Sequence, residues 1–110
     1  MNLAFLITNW NASKQTISTI KMLLNLQVEY EFHIYINDND SLIDDYDVLR
    51  VFCEPIAEVT LIRTNPHPGV TQSYNTLFNL QRDNFDISIR IDNDVTCTSE
   101  AINQIMNEFK

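Results

Sequence analysis

Basic residues are scarce in this chain: 7 Lys and Arg stand against 15 Asp and Glu, a formal charge of -8. A surface of that sign argues against a polyphosphate backbone or an anionic bilayer as partner, so neither nucleic acid nor direct membrane insertion is expected. An acidic protein still binds a nucleotide when a metal bridges the charges. Cysteine is also sparse. Cys53 and Cys97 form no metal-type spacing, and nothing like a positively charged leader with an apolar core precedes them. Both read as reduced, buried and inert thiols of a cytoplasmic protein. No apolar run approaches the roughly 20 residues of a membrane span. Internal repeats and low-complexity tracts are lacking as well, so nothing divides the chain.

What is present suffices for one globular domain, because a hydrophobic fraction of 45% over 110 residues supplies a packed core. Short apolar runs alternate with segments of helical period. Leu3 to Ile7 reads as a buried strand, and a helix follows from about Ser13 with Ile17, Ile20, Leu23 and Leu24 on one face. Phe32 to Ile36 is a second strand, with Asn37 to Ser41 as its polar C-terminal loop. A helix over Ile43 to Cys53 turns Tyr46, Leu49 and Phe52 or Cys53 inward. Val59 to Arg63 is the third strand. Asn65-Pro66-His67-Pro68-Gly69 is then a loop in which two prolines and the only glycine restrict the backbone. Val70, Tyr74, Leu77 and Phe78 share a helical face. Ile87, Ile89 and Ile91 form a fourth strand, and Ala101, Ile102, Ile105, Met106 and Phe109 a last amphipathic helix.

Alternating strands and helices predict a three-layer α/β/α fold with a mostly parallel, doubly wound, Rossmann-like sheet of about four strands. Ligands of such sheets bind beyond the carboxyl ends of the strands. Those ends read Thr8 to Asn11, Asn37 to Ser41, Thr64 to Gly69 and Asp92 to Asp94, all polar. The most informative is Asp92-Asn93-Asp94, where an apolar strand ends in two carboxylates one residue apart. If the strand period persists through it, Asp92 and Asp94 point to one side and hold a divalent cation, one directly and one through water. Hard oxygen ligands favour Mg, Mn or Ca over Zn, and such ions commonly arrive with a phosphate-bearing substrate. A D-x-D triplet is also common by chance in acidic chains; the convergence of four polar strand ends is what raises it above a solvated turn.

With these motifs in order, the chain resembles the nucleotide-binding half of the inverting family 2 glycosyltransferases, which have the GT-A fold. Ile7-Thr8-Asn9-Trp10-Asn11 is similar to that family's strand-end "V-N-W/Y-N", and Asp38-Asn39-Asp40-Ser41 to its "D-N-x-S". Asn65 with Gly69 and Asn75 is similar to "N-x-G…N", and Asp92-Asn93-Asp94 to "D-x-D". The resemblance implies a partial GT-A domain over 1–110 that binds a UDP-type or TDP-type sugar nucleotide. Thr8, Asn9, Trp10 and Asn11 would then line a base pocket, and Asp38, or Asp40 in its place, would accept a base N–H. Asn65, Gly69 and Asn75 would approach the ribose and diphosphate. Asp92 and Asn93 would contact the nucleotide, and Asp92 and Asp94 would hold Mn or Mg.

Each assignment has a plainer reading: Asp38 as a turn former, Trp10 as packing, Asn75 as a loop anchor. Arg63 and Arg90 sit within strand runs and read as salt-bridge partners, and His67 as exposed loop. The chain departs from the family pattern in three ways. Pro66-His67-Pro68 lengthens the "N-x-G" spacing, Asp38 lies in a denser acidic run, and the chain stops one helix after D-x-D, before the family's acceptor half and catalytic base. Glu100 and Glu108 read as helix surface. The catalytic residue is therefore unassigned, and a truncated half-domain is expected, with self-association or a partner covering its open edge. The alternative is a non-catalytic nucleotide- or metal-binding or assembly module.

Overall fold

A computed structural model describes residues 2–94 and 98–109. The expectation for Cys97 lies outside the described residues. Eight elements alternate along the chain: β1 (Asn2–Asn9), α1 (Ser13–Leu24), β2 (Glu31–Asn39), α2 (Ile43–Cys53), β3 (Val59–Thr64), α3 (Val70–Gln81), β4 (Ile87–Arg90) and α4 (Ser99–Asn107). The strands form one sheet in the order β3-β2-β1-β4, every pair parallel. The architecture is thus the α/β sheet that the strand and helix periods predict.

β1 is central and apolar on both faces because both faces are covered. Leu3, Phe5 and Ile7 point into a core shared with Ile20 and Leu23 of α1, Leu49 and Cys53 of α2, and Ile102 and Met106 of α4. Ala4 and Leu6 point the other way, against Tyr74 and Leu77 of α3. Full burial of a side chain such as Ile20 or Leu23 stabilises by about 1.5–3 kcal/mol, so the first face carries most of the packing energy. α3 buries less than its spacing predicts. Val70 and Phe78 are about half exposed, and the buried face is instead Ser73, Tyr74, Leu77 and Gln81. The reason is polar: Gln81 donates to Ser88 Oγ at 2.6 Å and Ser73 Oγ accepts from Asn37 at 2.7 Å, which rotates that face toward the sheet.

Two element ends differ from the reading of periodicity. β2 continues through Asn37, Asp38 and Asn39, which pair with Thr8 and Asn9 on one side and with Ile62, Arg63 and Thr64 on the other. These polar residues stay in the ladder, fully buried, because partners distant in sequence satisfy them. β4 ends at Arg90, and Asn93 and Asp94 lie in a turn. Strand alternation therefore does not set the directions of Asp92 and Asp94; the turn does.

Candidate functional site

The strand order reverses between β1 and β4. The chain leaves β1 toward β2 and β3, then returns to β1's other side, which opens a crevice beyond the carboxyl ends of this pair. Leu6 pairs with Arg90 and Ile91 N donates to Leu6 O at 2.9 Å, so the turn after β4, with Asp92, follows beside the last residues of β1, Thr8 among them. Asp92 and Asp94 are both exposed there. Trp10 projects from the β1 end, 57% exposed, with its ring edge against His67 at 5.4 Å between centroids. The β1 and β3 loops therefore meet at the mouth of the crevice.

Gly69 caps α3 with φ +85°, a left-handed conformation that favours glycine. A Cβ there would meet nothing within 4 Å, leaving open space in front of the helix N-terminus. The Gly69 N–H donates to His67 Nδ1 at 2.9 Å and its carbonyl accepts from Ser73 N. Asn65 and Asn75 are exposed beside this turn.

Other predicted residues are spent on holding loops. Asn9 is buried, donates to Asp38 Oδ1 at 2.9 Å and accepts from Thr16 Oγ1 at 2.7 Å. Asn11, at φ +50°, donates its N–H to Ser41 Oγ and accepts from Leu42 N at 2.7 Å, tying the β1 loop to the β2 loop. Asn93 turns inward: its Nδ2 donates to Thr16 Oγ1 at 3.2 Å and its carbonyl accepts from Thr19 Oγ1 at 2.8 Å. These contacts seat the acidic turn on α1.

Asp38 belongs to the same network. It is 0% exposed, and its two oxygens receive Asn9 Nδ2, Ser41 Oγ, Ser41 N and Arg63 Nη1. Four donors fill the usual sites of a carboxylate. Asp38 joins the β1, β2 and β3 ends. Asp40, the alternative, is part-exposed at φ +57° and 3.4 Å from Arg63. Asn39 lies on the opposite side of β2, its Oδ1 accepting from Asn37 Nδ2.

Sequence reasoning placed Tyr74 in the core and missed its polar end. Its hydroxyl lies 3.1 Å from Ile91 O and 3.3 Å from Asp92 Oδ1, and the Arg90 guanidinium stacks 4.0 Å from its ring centroid. Arg90 Nε is 3.8 Å from the same Asp92 oxygen. Burial pushes the Tyr74 phenol above its usual range, the Asp92 charge adds to this, and Thr8 and Arg90 oppose it, so the group stays a donor at neutral pH. An inward tyrosine on a helix facing a strand end was the only sequence signal.

The residues fit a divalent cation bound together with a ligand. Among the described residues no group of three or more His, Cys, Asp or Glu side chains gathers to hold a metal. Two exposed carboxylates are the kind of oxygen ligands that Mg or Mn take, ions that keep waters and bind substrate phosphate oxygens. A groove of about 560 Å³ opens on the α1 side of Asp94, with Lys14, Ser18 and Met22 along its wall.

No protein-family model and no curated protein matches the chain. Solved structures do. S. aureus TarS 1-349 superposes with a TM-score of 0.73 at 12% identity, over 97% of this chain and 32% of that one. The same protein in complex with UDP-GlcNAc gives 0.75 at 14% identity, over 97% and 30%. The mannosyltransferase PcManGT from Pyrobaculum calidifontis, in complex with GDP-Man and Mn2+, gives 0.74 at 14% identity, over 91% and 30%. The fold is that of a partial GT-A domain. This chain spans about a third of the length of the structures it matches. Among the described residues no helix is long and apolar enough to cross a membrane.

Proposed function

We propose that residues 1–110 are the donor-binding half of a family 2 type glycosyltransferase, binding a nucleotide-diphosphate sugar with Mn or Mg. The observation that carries this reading is the placement of the Asp92 to Asp94 turn at the strand reversal between β1 and β4, in a fold shared with proteins solved with GDP-Man and with UDP-GlcNAc. UDP or TDP remains the nucleotide we assign.

In this reading Thr8 and Trp10 border the nucleotide, and the Asn65 to Gly69 turn offers the N-terminus of α3 to its phosphates, where backbone N–H groups favour anions. Asp92 and Asp94 hold the cation, which when bound neutralises charge on the diphosphate. Asn9, Asn11, Asp38, Asn93 and Thr16 keep the three loops in register. Asn75, on an exposed turn of α3, borders the same opening. The buried Cys53 thiol supports a cytoplasmic location.

Binding rather than transfer is the activity we assign to these residues. Glu100 and Glu108, the carboxylates on and just after α4, are exposed, and Glu100 occupies its first turn, a place carboxylates favour for the helix dipole. The test is calorimetric titration of UDP into the protein with and without Mn2+, repeated on Asp94→Ala. Metal-dependent heat lost in the variant is expected. Absence of heat from folded protein in every case, with GDP also silent, overturns the proposal.

A further inference from the structure

We infer that Tyr74 is a positioning residue for the acidic turn: its hydroxyl and the Arg90 guanidinium stacked on its ring hold Asp92 by one oxygen, so that the other faces the ligand. The inference rests on the donor-site reading of Asp92 given above.

Tyr74 comes from α3, on the face of the sheet opposite α1, and it is 7% exposed. Its hydroxyl has one proton and faces Ile91 O at 3.1 Å, Asp92 Oδ1 at 3.3 Å and the Thr8 side chain. A single donor shared between a backbone carbonyl and the next side chain fixes both the exit of β4 and the rotamer of Asp92. Arg90 adds to the same oxygen at 3.8 Å, and the Tyr74 ring beneath it at 4.0 Å limits where the guanidinium can go. Asp92 Oδ2 has no hydrogen bond among the described residues. Among the described residues the carboxylate is thus anchored at one end and unbonded at the other.

Exposure explains why an anchor matters here. The Asp92 side chain is 60% exposed and the Arg90 side chain 56%, so their ion pair alone is worth little and restrains little. The buried hydroxyl is the rigid partner. α1 seats the other side of the turn through Thr16 and Thr19 on Asn93. The acidic turn is therefore held from both faces of the sheet, by α1 through Asn93 and by α3 through Asp92. Partners behind a metal-binding side chain typically tune affinity by 10–100-fold.

The test compares UDP affinity at fixed Mn2+ in the unmodified chain, Tyr74→Phe, Asp92→Asn and the double variant, with thermal unfolding run on each. Phe keeps the ring, the core packing and the Arg90 stack, and removes only the hydroxyl. The expected result is at least about tenfold weaker binding in Tyr74→Phe, and no further loss when Tyr74→Phe is added to Asp92→Asn. A purely structural tyrosine would weaken both backgrounds equally or neither. Unchanged affinity in Tyr74→Phe, or equal losses in both backgrounds, overturns the positioning role while the donor site stands. Lack of Mn2+-dependent binding in the unmodified chain overturns the donor site and the positioning role together.

Discussion

Arg63 and Asp38 meet at 2.9 Å between the ends of β3 and β2, with the Tyr46 ring 4.5 Å from the guanidinium carbon. The second Arg63 nitrogen donates to Ser41 O at 2.8 Å and reaches Asp40 at 3.4 Å. One cation therefore closes the loop after β2 onto the strand beside it. That arrangement occupies Asp38 and Arg63 in joining the two strand ends.

Replacement of Asp38 by Ala leaves Asn9 and Arg63 without their acceptor in a buried setting. Breaking one partner of a buried charged pair costs about 3–5 kcal/mol. The expected outcome is a loss of that order in urea unfolding. A shift of under about 1 kcal/mol, the range of an exposed pair, would contradict the hub role.

His33 supplies a pH dependence. Its ring lies 2.6 Å from Thr60 Oγ1 and 4.6 Å from the Tyr35 centroid, and burial lowers its pKa below the ordinary value, with Glu58 opposing. The unfolded chain therefore takes up a proton at a higher pH than the folded one. His33 contributes full stability above about pH 6.5, where both states are neutral, and loses it as pH falls toward the lower folded value. In thermal melts at pH 7.5 and pH 5.5, the drop on acidification is expected to be smaller in His33→Gln than in the unmodified chain. An equal drop removes His33 as the cause.

Cys53 sits in the core with Leu49 and Ile36, and burial pushes its thiol up to about 11. Thiolate is the reactive form, so at neutral pH the folded chain offers almost none. With Cys97 replaced by Ser, the remaining thiol is expected to stay silent to a chromogenic disulfide reagent at pH 8 until denaturant unfolds the domain. Rapid native labelling would show that α2 opens from the sheet far more readily than its packing implies.

The periodic signals carried well because they report burial, and burial is local in pattern. Leu3 to Ile7 announced a strand covered on both faces, and the helix over Ile43 to Cys53 has those bounds in the structure. The polar run Asn37 to Asn39 misled, since its loop-like composition is satisfied in the ladder by Thr64, Ser73, Asn9 and Arg63, residues that no window around position 38 contains.

By itself the sequence determined the order of strands and helices, the acidic character of the chain, and the position of four polar strand ends. Tertiary structure alone decided which of those polar residues face solvent. A side chain's availability depends on partners brought together by strand pairing, so Asp38 is consumed by Arg63 while Asp92, four-fifths of the way along the chain, is held at one oxygen by Tyr74 and, among the described residues, has no hydrogen bond at the other. Local composition encodes hydrophobic faces directly; it does not encode which hydrogen bonds remain to be made once the faces have closed.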